Sequence, residues 1–409
     1  MAATMTTQVV NAGSRLTEAA RRRIFRAHRG GVIEVRSRFR LKTSRDLQRL
    51  YTPGVAEVCR QLQAHPEEAS QYTWRDNTMA IVTNGSAVMS LGAIGTQASL
   101  PVMEAKAALF RELVGLNGVP ILIESREPET VIKVVEQIAA SFGAVMLEDI
   151  ESPACFEIER TLTERLAIPV LHADQHATAV AVLAALKKAA VFVQKPYRQL
   201  NVLIHGSGPS GLAVARLLHV DGVRDILMCQ TDGTRWPGSN SLHDATEKLI
   251  AELVNRDGGS GQWEELLKGR DVLISTSSQG RITAAHIRTM AERPIALVIS
   301  NPRPALTIDE LDAAGCVVAL DGTAVNNLLA FPGLFRGALN AKARRFSDRM
   351  LVAAADALAD SAPQGRLVAD PLDRQAHSFV AHAVSEAAMK ADHVALRNTP
   401  TSAITSHGT

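Results

Sequence analysis

Short apolar runs bounded by Gly, Pro, Asn or Asp recur along this chain, and longer stretches with helical spacing lie between them. Leu16 to His28 reads as a basic helix carrying Arg21, Arg22, Arg23 and Arg26, and Thr43-Ser44-Arg45-Asp46 reads as a capped helix start. Met79–Thr83 predicts a strand. The turn residues Asn84-Gly85-Ser86 and the run Ala87–Leu91 after it predict a hairpin. A helix is expected to begin near Leu100 and to carry Lys106.

From Pro120 the pattern alternates. Strands are predicted at Ile121–Ile123, Val145–Leu147 and Val170–Leu171, separated by helices reaching to Phe142 and Leu166, and an Ala/Val/Leu helix is predicted over Thr178–Phe192. The strand Asn201–His205 and the helix Leu212–Leu218 follow, then strands at Asp225–Cys229, Asp271–Ser275, Ala296–Ser300 and Cys316–Leu320. This rhythm predicts parallel sheets covered by helices: an α/β protein, with an N-terminal α/β domain and a Rossmann-type, doubly wound parallel-sheet domain.

Length, charge and cysteine content narrow the picture. A chain of 409 residues exceeds one core, so two domains are expected. A net charge of +2 with 21% charged residues gives no reason to expect nucleic acid, and the arginines near residue 22 read as a solvated face. Cys59, Cys155, Cys229 and Cys316 form no C-x-x-C pair, which fits a reducing compartment. Met1–Ser14 lacks the charged and apolar parts of a leader, and no run approaches the roughly 20 apolar residues of a membrane span. A cytoplasmic protein acting on a small molecule, with no nucleic acid or membrane as partner, is the expectation.

Candidate chemistry gathers at the ends of predicted strands. Gly206-Ser207-Gly208-Pro209-Ser210-Gly211 places G-x-G-x-x-G between a strand and a helix, which points to a dinucleotide. Gln230 stands where an NAD site is expected to carry Asp or Glu, and Arg235 follows, so NAD or NADP is open. Glu148 and Asp149 follow the run ending at Leu147, and Asp174 follows Leu171. Such carboxylates can hold Mg²⁺ or Mn²⁺, and they can equally cap helices or pair with cations. Lys106 lies among apolar neighbours, where it is a base if buried and a snorkelling side chain if not. Tyr51 precedes a Pro-Gly turn, at a cleft edge or as a packing residue, and Asn301 and Asn327 follow strands, on the ligand side or as plain turn residues.

The ordered set Tyr51-Thr52-Pro53-Gly54-Val55, Pro101–Lys106, Leu147-Glu148-Asp149-Ile150, Asp174-Gln175-His176, the glycine loop, Asn301-Pro302, Asn326–Pro332 and Phe335–Leu339 resembles the malic enzymes, most closely the short bacterial type. The resemblance runs from about Ser44 to Ala357. It implies oxidative decarboxylation of L-malate, or a close 2-hydroxy-dicarboxylate, to pyruvate with NAD or NADP and Mg²⁺ or Mn²⁺. It also implies a homodimer. By position, Glu148, Asp149 and Asp174 match the metal ligands, Lys106 the base, Tyr51 the acid, and Asn301 and Asn327 the substrate-binding positions. Asn301 is expected to reach the cofactor as well. The implied domains are 1–168, 169–358 and a C-terminal helix with a disordered tail over 359–409.

Two positions depart from that pattern. Ala173 stands where the resemblance implies an aspartate beside the lysine, and Ala177 where it implies glycine. Loss of that aspartate removes a group that would orient Lys106. Two alternatives follow: a non-oxidative or malolactic-type enzyme on a related acid, and a catalytically weakened regulatory homologue.

Overall fold

A computed structural model of the chain describes residues 17–88, 91–230, 233–234, 248, 250, 253–255, 263–277, 282–300 and 304–397. The chain divides into two compact units, one spanning Ser14–Val170 and one whose described part begins at Leu171. The α/β class expected from the alternating pattern is the class observed.

The first unit is built on β1 (Thr78–Thr83), every residue of which is buried. It pairs in parallel with β2 (Asn117–Leu122) on one side and β3 (Ala144–Leu147) on the other, and β4 (Val170–His172) completes the sheet order β2-β1-β3-β4. The predicted hairpin does not form. With parallel partners on both edges of β1, a returning strand has no edge to join. Residues 84–88 are instead a loop, whose described pairing is a single bridge between Val88 and Gly92.

A layer of short helices precedes β1: α1 (Glu18–Ala27), α2 (Ser44–Leu50), α3 (Gly54–Ala64) and α4 (Ala69–Tyr72). The predicted cap of α2 is present, with Thr43 and Asp46 forming a reciprocal capping box. None of the four helices contains a buried residue. The chain between α1 and α2 is held to α5 (Thr96–Val114) by the Glu104 carboxylate, which accepts from Val32 N–H at 3.1 Å. Helix α5 begins before the predicted Leu100, because Gly95, at φ 80°, ends the loop ahead of it. Helices α6 (Pro128–Ile138) and α7 (Ala154–Arg165) pack on each other in the same unit.

The second unit opens with α8 (Ala173–Phe192), which starts directly after β4 and five residues before the predicted Thr178. Asp174 therefore lies in the first turn of a helix, where its charge complements the helix dipole. Six strands form the sheet order β10-β9-β8-β5-β6-β7. They are β5 (Asn201–His205), β6 (Asp225–Gln230), β7 (Gly233–Thr234), β8 (Val272–Ser275), β9 (Ile295–Val298) and β10 (Val318–Asp321). All pairings are parallel except the short β6–β7 one. Strand β5 leads through α9 (Pro209–Val220) to β6, while β8 lies on its other side, so the order reverses at β5. That reversal is where doubly wound sheets bind ligands.

Three C-terminal helices, α10 (Phe331–Asn340), α11 (Asp348–Ser361) and α12 (Arg374–Arg397), pack together in this unit. A Cβ on Gly333 or Gly337 of α10 would meet Val380 or Val384 of α12 at 2.6 Å, so the two glycines let the helices approach closely. The predicted disordered tail, Asn398–Thr409, lies outside the described residues.

Candidate active site

Strand β3 delivers Glu148 and Asp149 to the carboxyl end of the first sheet, where both are almost fully buried. Glu148 continues the ladder by donating its N–H to Val82 O at 2.9 Å. Asp149 then reverses the chain at φ 53°, a left-handed conformation that Asp tolerates better than most residues. Its carbonyl accepts from Ala87 N–H at 3.0 Å, while Glu151 N–H donates to Ser86 Oγ at 2.9 Å. Ser86 Oγ in turn donates to Asn84 Oδ1 at 2.7 Å, and Asn84 Nδ2 donates to Ser125 O at 3.0 Å. The loop after β1, read from sequence as a hairpin turn, thus braces the acidic turn after β3.

Lys106 is buried on α5, and its ammonium lies 2.8 Å from Glu148 Oε1. Its side chain does not snorkel. Position 173 offers no carboxylate, and the one that pairs with Lys106 is Glu148. Sequence reading overlooked this pair, since a lysine in a helix and a glutamate more than forty residues later share no local pattern. Tyr51 caps the C-terminal end of α2 before a cis Thr52–Pro53 bond and is 66% exposed.

In the second unit Ala173 is fully buried at the start of α8, and Ala177 is fully buried one turn on, so both departures are packed methyl groups. Asp174, between them, is part-exposed, with its carboxylate 4.0 Å from the ring of buried His172.

The glycine loop follows β5. Gly206 has φ 110°, and a Cβ there would meet Thr276 Oγ1 at 2.6 Å. A Cβ on Gly211 would lie 1.9 Å from Gly206 O, which fits the close helix–strand approach expected of the third glycine. Gly208 has open space where a side chain would stand, and as the residue before α9 it caps that helix with no side-chain bond. Thr276 Oγ1, after β8, lies 3.3 Å from the carbonyl oxygens of both His205 and Gly206, either of which can accept its one proton. Ser207 is buried in the loop, and Pro209 is the first residue of α9.

Gln230 ends β6, while Arg235 and Asn301 lie outside the described residues. Asn327 begins a short 3₁₀ turn and is half-buried, and the preceding Asn326 caps that turn by accepting from Leu328 N–H at 2.9 Å.

Comparison with known proteins bears on these observations as a whole. The family model for the malic enzyme N-terminal domain matches residues 32–127, and that for the malic enzyme NAD binding domain matches residues 317–389. NAD-dependent malic enzyme 1 of Bacillus subtilis is 42% identical over 90% of this chain and 80% of its own length. The bifunctional malic/malolactic enzyme of the same organism is 37% identical over 88% of this chain and 90% of its own. The crystal structure of malic enzyme from Pyrococcus horikoshii superposes with a TM-score of 0.87 at 35% identity, covering 91% of each chain. With these acidic, basic and glycine-rich turns on an α/β frame, and with relatives this similar over nearly their whole length, the chain belongs to the malic enzyme family.

Proposed function

We propose that the protein catalyses oxidative decarboxylation of L-malate, or a close 2-hydroxy-dicarboxylate, to pyruvate and carbon dioxide, with reduction of NAD⁺ or NADP⁺. The buried Lys106–Glu148 pair, at 2.8 Å, is the observation that carries this reading most directly. It keeps the Lys106 nitrogen in fixed geometry at a sheet's carboxyl end, among the acidic residues that the family's chemistry uses. Glu148, Asp149 and Asp174 are the residues we assign to a divalent cation. They fit one: carboxylate oxygens are hard donors suited to Mg²⁺ or Mn²⁺, and β3 and β4, the strands that precede them, are neighbours in the sheet order.

In this reading Lys106 Nζ acts as the neutral amine, taking the proton of the substrate hydroxyl as the hydroxyl-bearing carbon is oxidised, and Tyr51 Oη protonates the enol carbon left after carbon dioxide departs. When bound, the cation would lower the pKa of the substrate hydroxyl and a nicotinamide would supply the hydride acceptor. Asn301 and Asn327 hold the substrate carboxylate, and Asn301 also contacts the cofactor. The loop Gly206, Ser207, Gly208, Pro209, Ser210 and Gly211 seats the nucleotide, with Gln230 near its ribose. Residues up to about 168 form the catalytic domain, residues to about 358 the nucleotide domain, and the remainder the C-terminal helical part.

A homodimer is part of the proposal. Four helices with no buried residue, carrying exposed Phe25, Leu47, Leu50 and Val58, are too short to persist in water alone and suit a second copy as cover. Sedimentation of the purified chain as a monomer would remove this part. A reducing, cytoplasmic setting is supported by Cys59, Cys155, Cys229 and Cys316, none of which is in a disulfide. Among the described residues, no helix is long and apolar enough to cross a membrane.

The decisive experiment strips metal from the protein, restores Mn²⁺, supplies L-malate, and follows NAD⁺ and NADP⁺ reduction separately with product analysis. Metal-dependent reduction with pyruvate as product is expected. Lactate with no net reduction would favour the malolactic-type reading, which similarity to the bifunctional relative makes the second choice. A weakened regulatory homologue is the outcome if no acid is turned over while nucleotide still binds.

A further inference from the structure

Ser210 stands in the first turn of α9, inside the glycine loop, where it was expected to contact the cofactor. Its hydroxyl is engaged elsewhere: it donates to the main-chain carbonyl of Asp174, in the first turn of α8, over 2.9 Å. A serine hydroxyl carries one proton, and a phosphate oxygen needs a donor. While that proton is held by Asp174 O, Ser210 cannot also donate it to a pyrophosphate. Phosphate contact is left to other groups of the loop, chiefly the backbone N–H groups at the start of α9.

The bond joins two consequential turns. On one side, the start of α9 is fixed by Gly211, whose Cα faces Gly206 O so closely that a methyl group would sit 1.9 Å from it. On the other, the carbonyl that Ser210 holds belongs to the residue whose side chain is assigned to the cation. Helices α8 and α9 pack against each other, so a shift of one first turn is carried to the other.

We propose that Ser210 is a positioning residue which couples nucleotide binding at the glycine loop to cation binding at Asp174, so that each ligand tightens the other. The proposal rests on the reading of Asp174 as a cation ligand. Coupling of this kind is reciprocal: the factor by which nucleotide raises metal affinity equals the factor by which metal raises nucleotide affinity.

The test measures Mn²⁺ dissociation constants by electron paramagnetic resonance of free Mn²⁺, without nucleotide and with saturating NAD⁺ or NADP⁺, and no substrate present. Wild-type protein is expected to bind Mn²⁺ about three- to tenfold more tightly with nucleotide, the range that one hydrogen bond can transmit. In Ser210→Ala the ratio falls to about one, whatever the affinity of each ligand measured alone. Ser210→Thr, which keeps the hydroxyl, restores the ratio. A Ser210→Ala ratio equal to wild type, or a wild-type ratio of one, overturns the coupling and leaves the cation reading standing. Wild-type protein that binds no Mn²⁺ overturns both.

Discussion

The acidic turn after β3 and the glycine turn after β5 both stand at the carboxyl end of a parallel strand, yet they are built in opposite ways. The acidic turn is almost fully buried, paired with Lys106 and braced by the loop after β1. Its chemistry resides in side chains. The glycine turn has open space at Gly208 and no side-chain cap on α9, so its chemistry resides in the backbone. One site is made by filling a space with charge, the other by keeping a space empty. Their tolerance to substitution should differ accordingly.

The largest effect is expected at Lys106. Lys106→Ala removes the proposed base and leaves Glu148 buried without its partner, so kcat should fall by about 10²–10⁴-fold. A stability loss of about 3 kcal/mol should accompany it, read by denaturant titration, since breaking one side of a buried pair strands the other charge. Nucleotide affinity, measured by fluorescence, should be unchanged. A variant with weakened nucleotide binding would break the separation drawn here.

Gly211→Ala comes next. Its methyl group has nowhere to go at 1.9 Å from a carbonyl oxygen, so a stability loss of about 1–3 kcal/mol is expected together with weaker nucleotide binding. Gly208→Ala separates these two effects. Because nothing lies within 4 Å of its Cβ, stability should stay within about 0.5 kcal/mol of wild type while nucleotide affinity drops. Full nucleotide affinity in Gly208→Ala would mean that the open space is not where the phosphates lie. Asp149→Asn probes the acidic side. Asn tolerates the φ of 53° as well as Asp does, so the fold should hold while Mn²⁺ affinity, read calorimetrically, falls.

The smallest effect concerns acid. Burial holds the His377 ring on α12 below its ordinary pKa, opposed by its bond to Pro371 O and by nearby Asp373. The unfolded chain therefore binds a proton more readily than the folded one. The resulting stabilisation is present above the unfolded value of about 6.5 and is lost as pH falls through the folded value. His377→Gln should flatten the decline of melting temperature below pH 6.5. If the decline is unchanged, acid acts on another group.

The same contrast explains what could be read in advance. Gly206, Gly208 and Gly211 were legible because their spacing between a strand and a helix is a local pattern, even though the atom that a Cβ on Gly206 would meet first belongs to distant Thr276. The strands of the second sheet were legible for the same reason, since a buried parallel strand is a plain apolar run. Lys106–Glu148 and the brace from Asn84 and Ser86 were not, because they join segments distant in sequence. The Asn84-Gly85-Ser86 turn was recognised, but its partner was misjudged. Turn chemistry says that the chain bends, while the occupied edges of β1 decide where it goes. The start of α8 was missed because Ala173-Asp174-Gln175-His176 is polar enough to pass for a turn.

Helix α8 has a consequence for how this protein can diverge. Thirteen of its twenty residues are buried, most of them alanine, and Asp174 sits at its head. Such a helix has little room for larger side chains and little apolar bulk to trim, so its first turn is held in place by everything behind it. New substrate preferences in this lineage would then arise from loops around the acidic and glycine turns, where change is cheaper. The packed helix acts as an inherited constraint, keeping Asp174 where it stands while its surroundings are free to drift.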